Sequence, residues 1–444
     1  MIHYQAKLRE AGLSVAAAEE KGRTFEQLEE AAGQLGLGHP LRAFYVPGRI
    51  EVLGKHTDYA GGRSLVSCVE KGFCLLAARR DDRTIRFVDM GRNSTAEWEF
   101  SSSSPTPPVS WVVYPATVAR RVARNFPSAK HGVDVVFSSD LPRAAGISSS
   151  SAFVIASFLA LSAANSLEHS EAFRENLATR EDLATYLAAV ENGSSFRALT
   201  GDAGVGTFGG SEDHTAILCA KPEEISQYSF CPLQPERRIK LADELTFVIA
   251  SSGVAADKTG NAREQYNQLS LATRSILDIW NQKTGGNESS LGSAIRSSAD
   301  AREQIQQAIS EFPDSSLSRN SLGNRLEQFF VESEVIIPKA GDALKAGDWE
   351  TFGELVDLSQ SNAERLLNNQ VPETLFLARS ARELGAIAAS AFGAGFGGSV
   401  WALVPKQEAQ AFLARWAERY REAFSQHASS AFFLTAAGPP AESL

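Results

Sequence analysis

The stretch GVDVVFSSDLPRAAGISSSSAFVIASFLALSAA, residues Gly132–Ala164, decides how this chain folds. Val133, Val135 and Phe137 alternate with Asp134 and Val136, the period of a half-buried strand. From Ala152 the apolar run AFVIASFLALSAA reads as a core helix, well short of the roughly 20 apolar residues that cross a bilayer. Between them lies a loop of small residues, Ala144 through Ser151. Such a loop lets backbone N–H groups approach an anion, and the positive end of the following helix dipole adds attraction for phosphate. Serine hydroxyls there can also ligate magnesium. The plainer reading is a Ser-rich helix cap, which is commoner. No GK[ST] follows, so the loop is not a Walker loop.

Two further stretches are unusual. VPGRIEVLGKHTDYAGGRSL, from Val46, places Arg49, Glu51, Lys55, His56 and Asp58 close together between glycine-flanked turns. FGAGFGGSVWALV, from Phe392, sets Gly393, Gly395, Gly397 and Gly398 directly before a strand-like run. A tight turn accounts for one or two of these glycines and less easily for four.

The rest of the chain bounds the function. With 444 residues and 43% hydrophobic content, it can bury a sizeable core and divide into two or three domains. The net charge of −10 comes with dispersed Lys and Arg, so the basic stripe that nucleic acid requires is missing. Cys68, Cys74, Cys219 and Cys231 show no CxxC pairing and no histidine at ligand spacing, which fits a reducing cytoplasm without zinc or disulfides. The N-terminal thirty residues mix both charge signs and lack the apolar run of a signal peptide, and neither export nor membrane insertion is expected. SSSSPTPP, from Ser101, reads as a polar surface loop. The proline-containing segment between Cys231 and Leu245 precedes the strand-like LTFVIASS and suggests a domain boundary, placed so that residues 1–235 and 236–444 form two units of mixed α and β structure.

Together, Arg49 to Tyr59, Leu141 to Ala152 and Gly393 to Ser399 resemble, in order, spacing and wording, the three motifs of the GHMP small-molecule kinases. Within that superfamily the chain is most similar to the galactokinases, whose first motif reads close to GRxNxIGEHxDY, and the similarity runs over roughly residues 40 to 405. The resemblance implies an α+β fold of two lobes. The N-terminal lobe would be like ribosomal protein S5, with a left-handed β-α-β crossover, and the C-terminal lobe ferredoxin-like, with the active site in the cleft between them. The implied reaction transfers the γ-phosphoryl group of ATP, with Mg2+, to a sugar hydroxyl, in galactokinases the anomeric one. Sugar and ATP would be the partners of a monomer or weak homo-oligomer.

Carried over residue by residue, the resemblance assigns Asp213 as the catalytic aspartate, with Glu212 as a competitor for that place, and Arg49 as the arginine near the transferred phosphate. It gives the metal to Ser149 and Glu191. The phosphates fall to Ala145, Gly146, Ile147, Ser148, Ser149, Ser150 and Ser151, and the adenine region to Trp111 and Tyr114. Sugar contacts fall to Lys55, His56, Asp58, Gly210 and Tyr266. The segment from Gly193 to Val205 is an insertion relative to the family pattern.

The chain departs from the galactokinases where it would touch sugar: Glu51 replaces the family asparagine and Lys55 the glutamate before the histidine. A carboxylate that accepts from sugar hydroxyls has become a cation that can only donate. Either Lys55 pairs with Glu51 and the substrate is a neutral hexose, or Lys55 faces the carboxylate of a uronic acid. A sugar sensor without useful turnover and a homoserine- or mevalonate-type kinase are the further alternatives, the last disfavoured by the HTDY wording at residues 56–59.

Overall fold

The computed structural model describes residues 2–106, 110–256, 263–312 and 317–444, so the end of the Ser101–Pro108 loop lies outside the described residues. The first sheet is built mainly from the N-terminal half: β1 (Arg42–Leu53), β2 (Arg63–Arg79), β3 (Thr84–Asp89), β4 (Ser94–Glu99), β5 (Val133–Ser139), β6 (Glu224–Ser229) and β7 (Gln234–Lys240). Strand β5 pairs antiparallel with β2 and parallel with β3, then leads through the small-residue loop into the helix Ser149–Asn165.

Period 2 is visible along β1. Phe44, Val46, Ile50 and Val52 point into the main core shared with the helix Ser149–Asn165, and Ala43 and Tyr45 point to the opposite face. That opposite face is covered by the helices Ile2–Ala11 and Val15–Gln34, the second of them capped by the Ser14 hydroxyl. Strand β5 is therefore buried on both faces rather than one. Val136 packs under the N-terminal helices, and Asp134 is held by Arg80 at 3.0 Å and Arg86 at 2.8 Å.

The second sheet comprises β8 (Leu245–Ser251), β9 (Ala388–Phe392), β10 (Ser399–Pro405) and β11 (Ala431–Thr435), in the order β11-β8-β10-β9 and antiparallel throughout. Its apolar face packs on the helices Pro372–Glu383 and Ala409–Ala423. Between β8 and β9 the chain makes a helical excursion with its own core, including Ile276, Trp280, Leu326 and Phe329. The chain then returns, and β12 (Glu442–Ser443) pairs with β1. The division at 235/236 thus cuts through β7, which pairs with β6. The chain crosses between the sheets over residues 241–244, and the C-terminus adds a strand to the first sheet. All four cysteines are free, and among the described residues no helix is long and apolar enough to cross a membrane.

Candidate active site

The loop before the helix Ser149–Asn165 turns through left-handed backbone at Ala144, Gly146 and Ser148, so the first turn of the helix opens onto a cavity. Gly146, Ser148, Ser149 and Ser150 line one side of it, and Phe73, Phe153, Trp111 and Tyr114 the other. Phe73 stacks on Phe153 at 5.1 Å, and the Ser148 hydroxyl is buried without a hydrogen-bond partner. An aromatic wall leading to a helix N-terminus with an unsatisfied hydroxyl suits a flat heteroaromatic base carrying phosphates. Ala145 and Ile147 do not border this cavity. They are buried, and their carbonyls accept from the Ser399 hydroxyl at 2.6 Å and from Arg49 N at 3.2 Å.

The glycine stretch near Phe392 buttresses this loop. Gly393 has φ +82°, and a Cβ there would stand 2.7 Å from the Gly146 carbonyl oxygen. Only glycine permits both the conformation and the approach.

Arg49, on β1, joins the loop to a second cavity. Its Nη1 donates to the Gly146 carbonyl at 2.7 Å, while Nε at 2.8 Å and Nη2 at 2.7 Å both engage Asp213 Oδ1. Asp213 stands near the start of the helix Glu212–Cys219. Its Oδ2 lies 3.3 Å from Ser151 Oγ, which donates to Glu191 Oε2 at 2.9 Å. Glu191 is also 3.2 Å from His214 Nε2. The two cavities meet across the first turn of the helix, Ser150 lining one and Ser151 the other. The hydroxyl beside Glu191 therefore belongs to Ser151. Ser149, assigned to the metal from the sequence, faces the aromatic-walled cavity instead, because successive residues on a helix point in different directions.

The second cavity is lined by Arg49, His56, Asp58, Gly210, Asp213 and Tyr266, together with Glu51, Ser151, Glu191 and Glu212. His56 is positioned by two protein contacts, Nδ1 with the Tyr59 hydroxyl at 2.9 Å and Nε2 with the Ala394 carbonyl at 3.0 Å. Asp58 Oδ2 accepts from Glu212 N at 3.0 Å, and a side chain at Gly210 would collide with that carboxylate. Burial, and then the charge of Asp58, push the Tyr266 hydroxyl well above the usual tyrosine range, so it remains a donor. Burial lifts Glu51 to about 7 against the pull of Arg49 and Lys55. Glu212 goes well above the carboxylate range through burial, with Glu51 and Asp58 adding repulsion.

Lys55 is not among the residues lining this cavity. Its ammonium is buried and donates to the hydroxyls of Ser359 at 3.1 Å and Ser390 at 2.7 Å. It neither faces a ligand in the cleft nor makes an ion pair with Glu51, so both sequence-based roles for it are corrected.

The Gly193–Val205 insertion closes on its own base. Val205 N donates to the Glu191 carbonyl at 2.8 Å, and Arg121 and Asn125 donate to the carbonyls of Ser194 and Thr200. Because Val205 returns to the Glu191 carbonyl, Glu191 and Asp213 both stay beside Ser151, with Asp213 on Arg49. Sequence reasoning missed Ser64, which donates to Glu212, His214 beside Glu191, and Arg325, which donates to the His56 carbonyl. No local pattern marks any of the three.

Comparison with known proteins agrees with this geometry. Residues 113–210 match the GHMP kinases N terminal domain, residues 342–422 the GHMP kinases C terminal, and residues 37–79 the galactokinase galactose-binding signature. A galactokinase of Roseiflexus sp. is 26% identical over 401 residues, covering 88% of this chain and 90% of the relative. The galactokinase of Bacillus subtilis is 25% identical over 399 residues, covering 88% and 92%. Among solved structures, Lactococcus lactis galactokinase complexed with galactose superposes with a TM-score of 0.76 at 21% identity, over 95% of this chain and 100% of that one, which establishes the common fold. The chain belongs to the GHMP kinases and is a galactokinase-like sugar phosphotransferase of that family.

Proposed function

We propose that the protein transfers the γ-phosphoryl group of ATP to the anomeric hydroxyl of a neutral hexose, with galactose as the first candidate. The observation that carries this reading is the placement of Asp213. It is fixed on Arg49 between a phosphate-binding helix N-terminus and a cavity lined by hydrogen-bonding groups. The paired N–H bonds from Arg49 favour the ionised carboxylate, which can orient a sugar hydroxyl and accept its proton. Arg49 itself bridges that carboxylate and the phosphate loop, so its fixed positive charge sits where phosphoryl transfer builds up negative charge.

Ser151 Oγ and Glu191 are adjacent hard oxygen donors, a set that suits magnesium, which binds few protein oxygens together with phosphate oxygens. When bound, the ion supplies charge neutralisation on the phosphates. Ser151→Ala is expected to raise the magnesium concentration for half-maximal activity by about tenfold, with Ser149→Ala changing it by less than about threefold. Titrating activity with magnesium at fixed ATP checks this, and the reverse order would return the metal to Ser149.

A neutral substrate follows from the charges. Asp58, Glu191 and Asp213 border the sugar cavity, and the guanidinium of Arg49 is engaged by Asp213 and the Gly146 carbonyl. With Lys55 outside the cavity, a uronate carboxylate would meet like charge. Galactose should exceed galacturonate in kcat/KM by at least about tenfold. A coupled assay for ADP release decides the matter. A preference for galacturonate would overturn the reading, as would galactose binding without ADP release on any hexose, the behaviour of a sensor.

A further inference from the structure

Glu51 and Glu212 lie beside Asp213, but the phosphoryl-transfer reading gives neither of them a role. Both are at least nine-tenths buried, at 5% and 4% exposure, and both line the sugar cavity. The Ser64 hydroxyl on β2 closes the pair by donating to Glu212 Oε2. Glu51 Oε1 is buried, belongs to a residue that lines the sugar cavity, and has no hydrogen-bond partner. A buried carboxyl oxygen left unsatisfied is costly and calls for a reason. Neither neighbouring cation donates to it: the Arg49 contacts go to Asp213 and the Gly146 carbonyl, and those of Lys55 to Ser359 and Ser390.

We infer that Glu51 is a substrate-reading residue: its Oε1 accepts a hydrogen bond from one hydroxyl of the bound hexose, and Glu212 and Ser64 hold it in place to do so. The inference rests on the sugar-kinase reading and deepens it. The charge state agrees with the geometry. Burial pushes Glu212 well above the carboxylate range and Glu51 to about 7, and the oxygen Oε1 of Glu51 can accept a hydrogen bond. An asparagine in this place, as in the galactokinase motif, is shorter by one methylene and presents both a donor and an acceptor, so this chain reads its sugar with a different group.

The test pairs variants with sugars. Galactose and its 2-, 3-, 4- and 6-deoxy analogues are assayed with magnesium ATP on the wild type, Glu51→Leu and Glu51→Gln. In the wild type one deoxy sugar should lose about tenfold or more in kcat/KM, mostly through KM, because a site built to bind a hydroxyl rejects the analogue that lacks it. In Glu51→Leu, galactose should fall to that same level, and that deoxy sugar should fall no further. Glu51→Gln keeps a carbonyl oxygen at Oε1 and an N–H for Glu212, and should retain the wild-type ratio within about threefold. Should the leucine variant not fold, Glu51→Asp carries the test, since withdrawing the oxygen by one methylene should collapse the ratio in the same way. Turnover with every deoxy-sugar ratio unchanged in Glu51→Leu or Glu51→Asp overturns this inference alone. A wild type that turns over no hexose overturns the sugar-kinase reading as well.

Discussion

Asp213→Asn should leave the protein folded and able to hold ATP while lowering kcat by about 10²–10⁴-fold, the usual range for loss of a positioned proton acceptor. Asparagine has nearly the shape of aspartate, and its amide oxygen can still accept from Arg49 Nε and Nη2, which both address Oδ1 in the native protein. The change falls on the other atom. Oδ2, 3.3 Å from Ser151 Oγ, becomes an NH2 group that can donate but not accept, and the charge that Arg49 stabilises is gone. The phosphate loop is untouched, so KM for ATP should stay within about threefold. Glu212→Gln is the control. Its carboxyl contacts Ser64 and Glu51 rather than Ser151, and its loss should not exceed about tenfold. Steady-state kinetics with both substrates varied separates the two. If Glu212→Gln carried the large loss and Asp213→Asn did not, the catalytic carboxylate would be misassigned by one residue.

Asp213 stood out in the sequence only through its neighbours, and the limits of such reading have physical causes. The strand-loop-helix unit at residues 132–164 was readable because strand alternation and an unbroken apolar run differ in period, and local periodicity is what a sequence displays. Which serine of the run 148–151 faces Glu191 was not readable. Four identical residues carry no internal marker, and the phase of the helix decides the matter. Asp134 made β5 look half exposed, whereas Arg80 and Arg86 neutralise it and the two N-terminal helices cover that face, an arrangement set by contacts across the chain. The pairing of Glu51 with Glu212 is of the same kind. The sequence set Glu51 against Lys55 and offered Glu212 only as a competitor for the place of Asp213, whereas the fold brings the two carboxyls to one cavity.

Lys55→Glu should destabilise the protein by about 3–5 kcal/mol without redirecting it toward any other sugar. At 1% exposure Lys55 is the cation of a buried network rather than a reader of substrate. Its Nζ donates to Ser359 and Ser390, Ser359 donates on to Glu332 Oε1 at 3.0 Å, and Gln360 Oε1 accepts from Ser390 at 3.1 Å. Glu332 is fully buried and also accepts from Gly54 N at 2.9 Å, so the network ties the sugar loop to the helical excursion. The sequence could not disclose this, because serines 304 and 335 residues downstream give no local signal of their role. A glutamate at position 55 would put a second acceptor-only group against these hydroxyls and a new charge one hydroxyl away from Glu332 and near Glu51, with no cation to offset either. Lys55→Met, which keeps the length of the side chain and adds no charge, should cost less, about 1–3 kcal/mol, and Glu332→Gln added to it should recover part of that loss, since the two residues belong to one network. Urea unfolding midpoints of the four proteins, read beside their galactose and galacturonate kinetics, decide the case. A Lys55→Glu variant of wild-type stability with an altered preference between the two sugars would put the ammonium back in the cleft and return the uronic acid reading to contention.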